Sequence, residues 1–96
     1  MKNLTIEEPS LFFSYRDEEH FFTWLESISA VQNVTRSARG LDLKLSHEVD
    51  DASLLDLIAL LTRYGLDRKC LRKLSTAKNQ HWFKKSKKYW YRAVFK

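Results

Sequence analysis

Leu41-Asp42-Leu43-Lys44-Leu45-Ser46 alternates apolar and polar side chains with strict period two. Successive side chains of a strand point to opposite faces, so Leu41, Leu43 and Leu45 are predicted to face a core while Asp42 and Lys44 meet solvent. One apolar and one polar face is the pattern of an antiparallel sheet covered on one side. Gly40, just before the run, can adopt the positive φ that a short hairpin loop needs. The β-prone residues 31–36 are therefore predicted to pair with the hexapeptide as an antiparallel neighbour.

Working back toward the N-terminus, Phe21, Leu25 and Ile28 recur at helical spacing, flanked by Phe22 and Trp24. Asp17, Glu18 and Glu19 place negative charge where a first helical turn exposes its amides, so an amphipathic helix is predicted over residues 17–29. Before it, Leu4 and Ile6, then Leu11, Phe13 and Tyr15 at alternate positions, predict one or two short strands interrupted at Pro9. On the other side of the hexapeptide, Asp50 or Asp51 caps a second, more apolar helix. It runs through Leu54, Leu55, Leu57, Ile58, Leu60 and Leu61 to Tyr64, with Gly65 placed for a left-handed cap and Leu66 for the contact that closes it.

Beyond Gly65 the texture changes. Asp67 is placed to cap a short helix with Cys70, Leu71 and Leu74 on one side and cations on the other, and residues 75–77 read as a linker. The final stretch, residues 79–96, fits helical spacing through Trp82, Phe83, Tyr89, Trp90, Ala93 and Val94, with Ser86 as a cap, although residues 89–95 are also β-prone; helix is the reading taken. The fold class that results is α+β. It comprises a β-α-β-β-α core, a small antiparallel sheet with helices packed on one face, and a basic helical C-terminal segment. All 96 residues are expected to form one domain, an acidic body over residues 1–65 carrying a basic aromatic extension over residues 66–96.

The net charge of +5 conceals that division. Residues 1–65 hold six Lys/Arg against eleven Asp/Glu, or −5, and residues 66–96 hold eleven against one, or +10. Charge gathered in one segment sets up a local field that speaks to partners and association rates. Within that segment, residues 82–92 interleave five cations with five aromatics, a combination that can follow a phosphate backbone and stack bases. The candidate binding surface is accordingly Lys84, Lys85, Lys87, Lys88, Tyr89, Tyr91 and Arg92. The plainer reading has Trp82, Phe83, Trp90 and Phe95 packing inward while the lysines solvate the outer face.

Several chemistries lack their residues. The two glycines, Gly40 and Gly65, lie too far apart for a dinucleotide fingerprint or a phosphate-cradling loop. His20, His47 and His81 are scattered with no second ligand at metal-site spacing, and no nucleophile-elbow sequence surrounds any serine. The acid pairs Glu18-Glu19 and Asp50-Asp51 stand at predicted helix starts, where acids are ordinarily structural. Cys70 is the one cysteine, so an internal disulfide is impossible and a reducing compartment is expected. The longest apolar run, residues 57–61, is far short of the roughly 20 residues a membrane-crossing helix needs. The first nine residues, with two acids and a proline, do not read as an export signal.

The plan resembles short bacterial proteins of unknown role and, more loosely, the small immunity proteins that neutralise a cognate toxin. The residues that carry the resemblance are Phe21-Phe22-Thr23-Trp24-Leu25, the Tyr64-Gly65-Leu66-Asp67 junction, Trp82-Phe83, and residues 89–95. What it implies is a small protein acting by binding another protein.

The expectation is thus a cytoplasmic, non-enzymatic protein-binding module, an inhibitor or immunity-type protein among its forms, with no cofactor and no membrane partner. The alternative is a nucleic-acid-binding protein using the basic C-terminal segment. A membrane-surface role for the lysines and aromatics ranks last.

Overall fold

The computed structural model describes residues 2–96. Three strands, β1 (Lys2–Ile6), β2 (Val31–Ser37) and β3 (Gly40–Leu45), form an antiparallel sheet of order β1-β3-β2. The alternation in β3 has the predicted sense: Leu41, Leu43 and Leu45 are buried opposite Ile6, Leu4 and Lys2 of β1. On the solvent face the Thr5 hydroxyl donates to Asp42 across the same register, at 2.7 Å.

Two helices of 13 residues cover the apolar face, α1 (Tyr15–Ser27) and α2 (Asp51–Arg63), giving the α+β architecture with helices on one side of the sheet. Ser14 caps α1 by accepting from the Asp17 amide at 3.1 Å, while Asp17 accepts from the Phe13 amide at 3.0 Å. This reciprocal pair starts the helix two residues earlier than the acidic run predicts.

Of the two candidate acids, Asp50 caps α2, holding the Ser53 amide at 3.2 Å. The Ser53 hydroxyl donates to the other Asp50 oxygen at 2.6 Å and accepts from the buried Ala30 amide at 3.1 Å, tying the start of α2 to the entry of β2. That hydroxyl, ahead of the opposing effect of burial, holds the Asp50 carboxyl below its ordinary value of 3.8. Ser53→Ala orphans a buried amide and removes the donor to Asp50, so it is expected to cost about 1–3 kcal/mol in urea unfolding. A lowered folded-state pKa gives stability that is present above the ordinary value and lost as pH falls through the folded one. The acid-side decline that begins as pH falls below the ordinary carboxylate range should therefore be shallower in Ser53→Ala than in the parent chain.

At its C-terminus α2 closes as predicted: Gly65 has φ +67° and the Leu66 amide reaches the Leu61 carbonyl at 2.8 Å, with Leu66 buried. A 3₁₀ helix (Lys69–Leu74) follows, its first amide taken by Asp67 at 3.0 Å and its Leu71 and Leu74 buried.

The structure corrects two expectations. Residues 11–15 form no strand; they are a loop that runs through the Ser14 cap into the first residue of α1. Phe12 is the inward residue, packed against Phe21 at 5.7 Å between ring centroids, and Leu11, Phe13 and Tyr15 point outward. The C-terminal segment is helical but broken, with α3 (Gln80–Phe83) and α4 (Tyr91–Phe95) separated by turns, and Ser86 lies within the turns rather than capping a helix. Leu71, Leu74, Phe83, Trp90 and Val94 belong to the same buried cluster as the sheet and the two long helices.

Asn79 has no counterpart in the sequence reading. It is buried between two exposed neighbours, donating to the Leu74 carbonyl at 2.9 Å and accepting from the Thr76 amide at 2.9 Å. Those bonds fix the turn between the 3₁₀ helix and α3. Among the described residues no helix is long and apolar enough to cross a membrane.

Candidate functional site

The seven residues singled out by charge and aromaticity do not behave alike. Residues 84–89 form an exposed loop between α3 and α4, held shut at its base by the Trp90 indole N–H, which donates to the Phe83 carbonyl at 2.8 Å. Lys84, Lys85, Lys87, Lys88 and Arg92 are exposed, and Tyr89 is 63% exposed. Tyr91 is half-buried, its ring 5.6 Å from Phe95.

The two tryptophans belong to the core side. Trp90 is only 4% exposed and meets Trp82 edge to face at 5.9 Å. Stacking on nucleic-acid bases therefore reduces to Tyr89, and what survives of the segment is a cationic loop. Lys84 and Lys88 rest over the rings of Phe95 and Trp90 at 5.9 and 5.8 Å, which covers aromatic edges without neutralising the charge. Both ion pairs found among the described residues, Arg36 with Glu8 and Lys78 with Glu48, lie elsewhere.

A second exposed surface lies on the acidic half, at the residues expected as a strand. Leu11, Phe13 and Tyr15 are 68%, 90% and 79% exposed, in a molecule that otherwise buries most of its large apolar side chains. Their loop is not loose: Phe12 anchors it inward and the Phe13 amide is tied to Asp17. Beside it runs an open groove of about 620 Å³ bounded by Leu11, Phe13, Asp17, His20, Trp24, Arg63 and Tyr64. Phe13 and Tyr64 also wall a smaller hollow of about 420 Å³ on the far side of the loop, over Pro9 and Leu66.

Tyr64 sits on Phe21 edge to face at 4.8 Å, and burial, then the nearby Asp17 charge, raises its phenol above the ordinary range. Leu11, Phe13 and Tyr15 thus expose apolar surface beside a groove whose lining also includes Asp17, His20 and Arg63. The signal in the sequence is the cluster of large apolar residues around the Ser14 cap, whose alternation reads as a strand.

Other chemistry-bearing groups are not gathered. No group of three or more His, Cys, Asp or Glu side chains that could hold a metal ion occurs among the described residues. Burial, then the charge of Asp67, pushes the Cys70 thiol up to about 11, so it is protonated and weakly nucleophilic at neutral pH. Comparison of the chain with protein-family models, curated proteins and solved structures finds no match.

Proposed function

We propose that the chain is a non-enzymatic protein-binding module whose contact surface is the loop over residues 11–15 and the groove beside it. One observation carries this reading: Leu11 and Phe13, on a loop pinned by Phe12 and tied to Asp17 through the Phe13 amide, and Tyr15 at the start of α1 are exposed at 68%, 90% and 79%. Exposed apolar ridges on rigid supports are where interface energy concentrates, because a preordered aromatic loses little entropy on binding. An inhibitor of the small immunity type is the finer form of this reading, and it supposes a cytoplasmic setting in which Cys70 stays reduced. A chain of 96 residues with one aromatic docking loop is suited to covering a partner's site.

The second reading is nucleic-acid binding through Lys84, Lys85, Lys87, Lys88 and Arg92, favoured by the exposure of all five in a segment with one acid. With the tryptophans withdrawn, such binding would rest on phosphate contacts and fall steeply with salt.

A capture experiment tests the first reading, and salt-dependent binding of single-stranded DNA by the parent chain, weakened by replacing the four lysines with glutamine, tests the second. From native-host lysate cleared of nucleic acid, the parent chain is expected to recover one stoichiometric protein partner, and a Leu11→Ser/Phe13→Ser variant to lose it at least tenfold. Both sites are exposed, so the double variant should unfold within about 1 kcal/mol of the parent. Replacing the four lysines with glutamine should leave the capture unchanged. Loss of the partner in the lysine variant and its retention in the loop variant would move the binding surface to the C-terminal loop.

A further inference from the structure

β2 is an edge of the sheet, paired on one side with β3 and on the other with nothing among the described residues. In an antiparallel ladder alternate residues turn both backbone groups toward the same neighbour, so every second residue of an edge strand keeps its N–H and C=O free. A bulge between Val31 and Asn33 twists the start of β2, leaving residues 33–37 as a regular segment without proline.

A cleft runs beside this edge. It measures about 350 Å³ between Glu18, Phe22 and Glu26 of α1 and Val34 and Arg36 of β2, reaching Leu41 of β3 behind them, and continues as a hollow of about 200 Å³ past Glu26 toward Val31. Glu18, Phe22 and Glu26 are four residues apart and share one helix face, distinct from the face that Asp17, His20 and Trp24 give to the loop groove. Neither carboxylate is in an ion pair among the described residues. The cation of the cleft, Arg36, is already held by Glu8 at 2.8 Å and lies over the Phe22 ring.

The geometry points to an extended polypeptide segment of basic-x-apolar-x-basic pattern, added to β2 as a fourth antiparallel or parallel strand; we propose this as a second binding site, independent of the loop groove. The backbone of β2 supplies the main-chain pairing. Residues four apart on a helix are spaced about 6 Å along its axis, and residues two apart on a strand about 6.8 Å, so successive same-face side chains of the added strand meet Glu18, Phe22 and Glu26 in turn. Charge complementarity chooses a cationic occupant over a second copy of the chain, whose own Glu18 and Glu26 would be brought toward these.

The test uses the full chain, labelled with nitrogen-15, and a capped synthetic heptapeptide, Thr-Lys-Thr-Val-Thr-Lys-Thr. Two control peptides carry glutamate for the lysines or N-methyl groups on alternate backbone amides. Expected are amide shifts confined to β2 and the flanking face of α1, loss of binding with either control peptide, and roughly fivefold weakening in the Glu18→Gln/Glu26→Gln variant. Equal binding of the lysine and glutamate peptides, indifference to N-methylation, shifts centred elsewhere, or no binding at millimolar peptide would overturn the proposal. So would a dimer of the free chain, by sedimentation equilibrium, with β2 protected.

Discussion

Trp90→Ala is expected to destabilise the fold by about 3–5 kcal/mol, the range for emptying a buried aromatic site. The indole is 4% exposed, packs edge to face on Trp82 at 5.9 Å and on Tyr89 at 5.1 Å, and donates to the Phe83 carbonyl at 2.8 Å. Small domains have about 5–15 kcal/mol in all, so this one truncation removes a large share. Trp90→Phe keeps most of the ring burial and loses the donor, for about 1–2 kcal/mol. Urea unfolding followed by far-ultraviolet circular dichroism measures both, with Trp24 and Trp82 left as fluorescent reporters in either variant. A midpoint for Trp90→Ala within experimental error of the parent would show that residues 79–96 contribute nothing to the core. The functional corollary is that the lysine loop is held by this residue, since its indole closes the loop's base.

The places where the sequence was readable are those where local pattern and tertiary need coincide. Leu41, Leu43 and Leu45 alternate because one side of β3 is covered, and Leu54, Leu57, Ile58 and Leu61 recur at helical spacing because α2 lies on that cover. Gly65 and Leu66 close α2 through contacts within a few residues, so composition alone predicts them.

Readability fails where a contact is distant or a phase is ambiguous. Leu11, Phe13 and Tyr15 alternate as a strand would, but the Ser14 cap turns the chain into α1 at that point, and Phe12 takes the inward place against Phe21. Asp50 and Asp51 are equivalent as caps until Ser53 is seen to bridge Asp50 to the Ala30 amide. The C-terminal aromatics fit the spacing of a helical stripe, yet they meet because two short helices are joined by a loop whose base the Trp90 indole closes on the Phe83 carbonyl. The basic loop could be located from charge alone. The apolar ridge and the open edge of β2 depend on the order β1-β3-β2, which no local pattern specifies.

Gly40→Ala should be the most damaging small substitution in the sheet, at about 2–5 kcal/mol, whereas Gly65→Ala should cost about 1–2 kcal/mol. Both glycines have positive φ, +136° at Gly40 and +67° at Gly65, so each substitution carries backbone strain. The difference is what the added methyl meets. At Gly65 no atom lies within 4 Å, and strain is the whole effect. At Gly40 a Cβ would stand 2.3 Å from the Ile6 carbonyl oxygen, a backbone atom of β1 that cannot rotate away. Relief requires β1 to shift from β3, and the Ile6 to Leu41 pair is the last of that ladder, so the loss should spread inward toward Leu4 and Leu43. Urea midpoints rank the two variants, and amide exchange locates the damage. Faster exchange in β1 for Gly40→Ala alone is the expected signature, because the hairpin turn of β2 and β3 would otherwise absorb the strain. Equal destabilisation of the two variants, with β1 exchange unchanged, would show that φ and not the approach of β1 is what requires glycine at position 40.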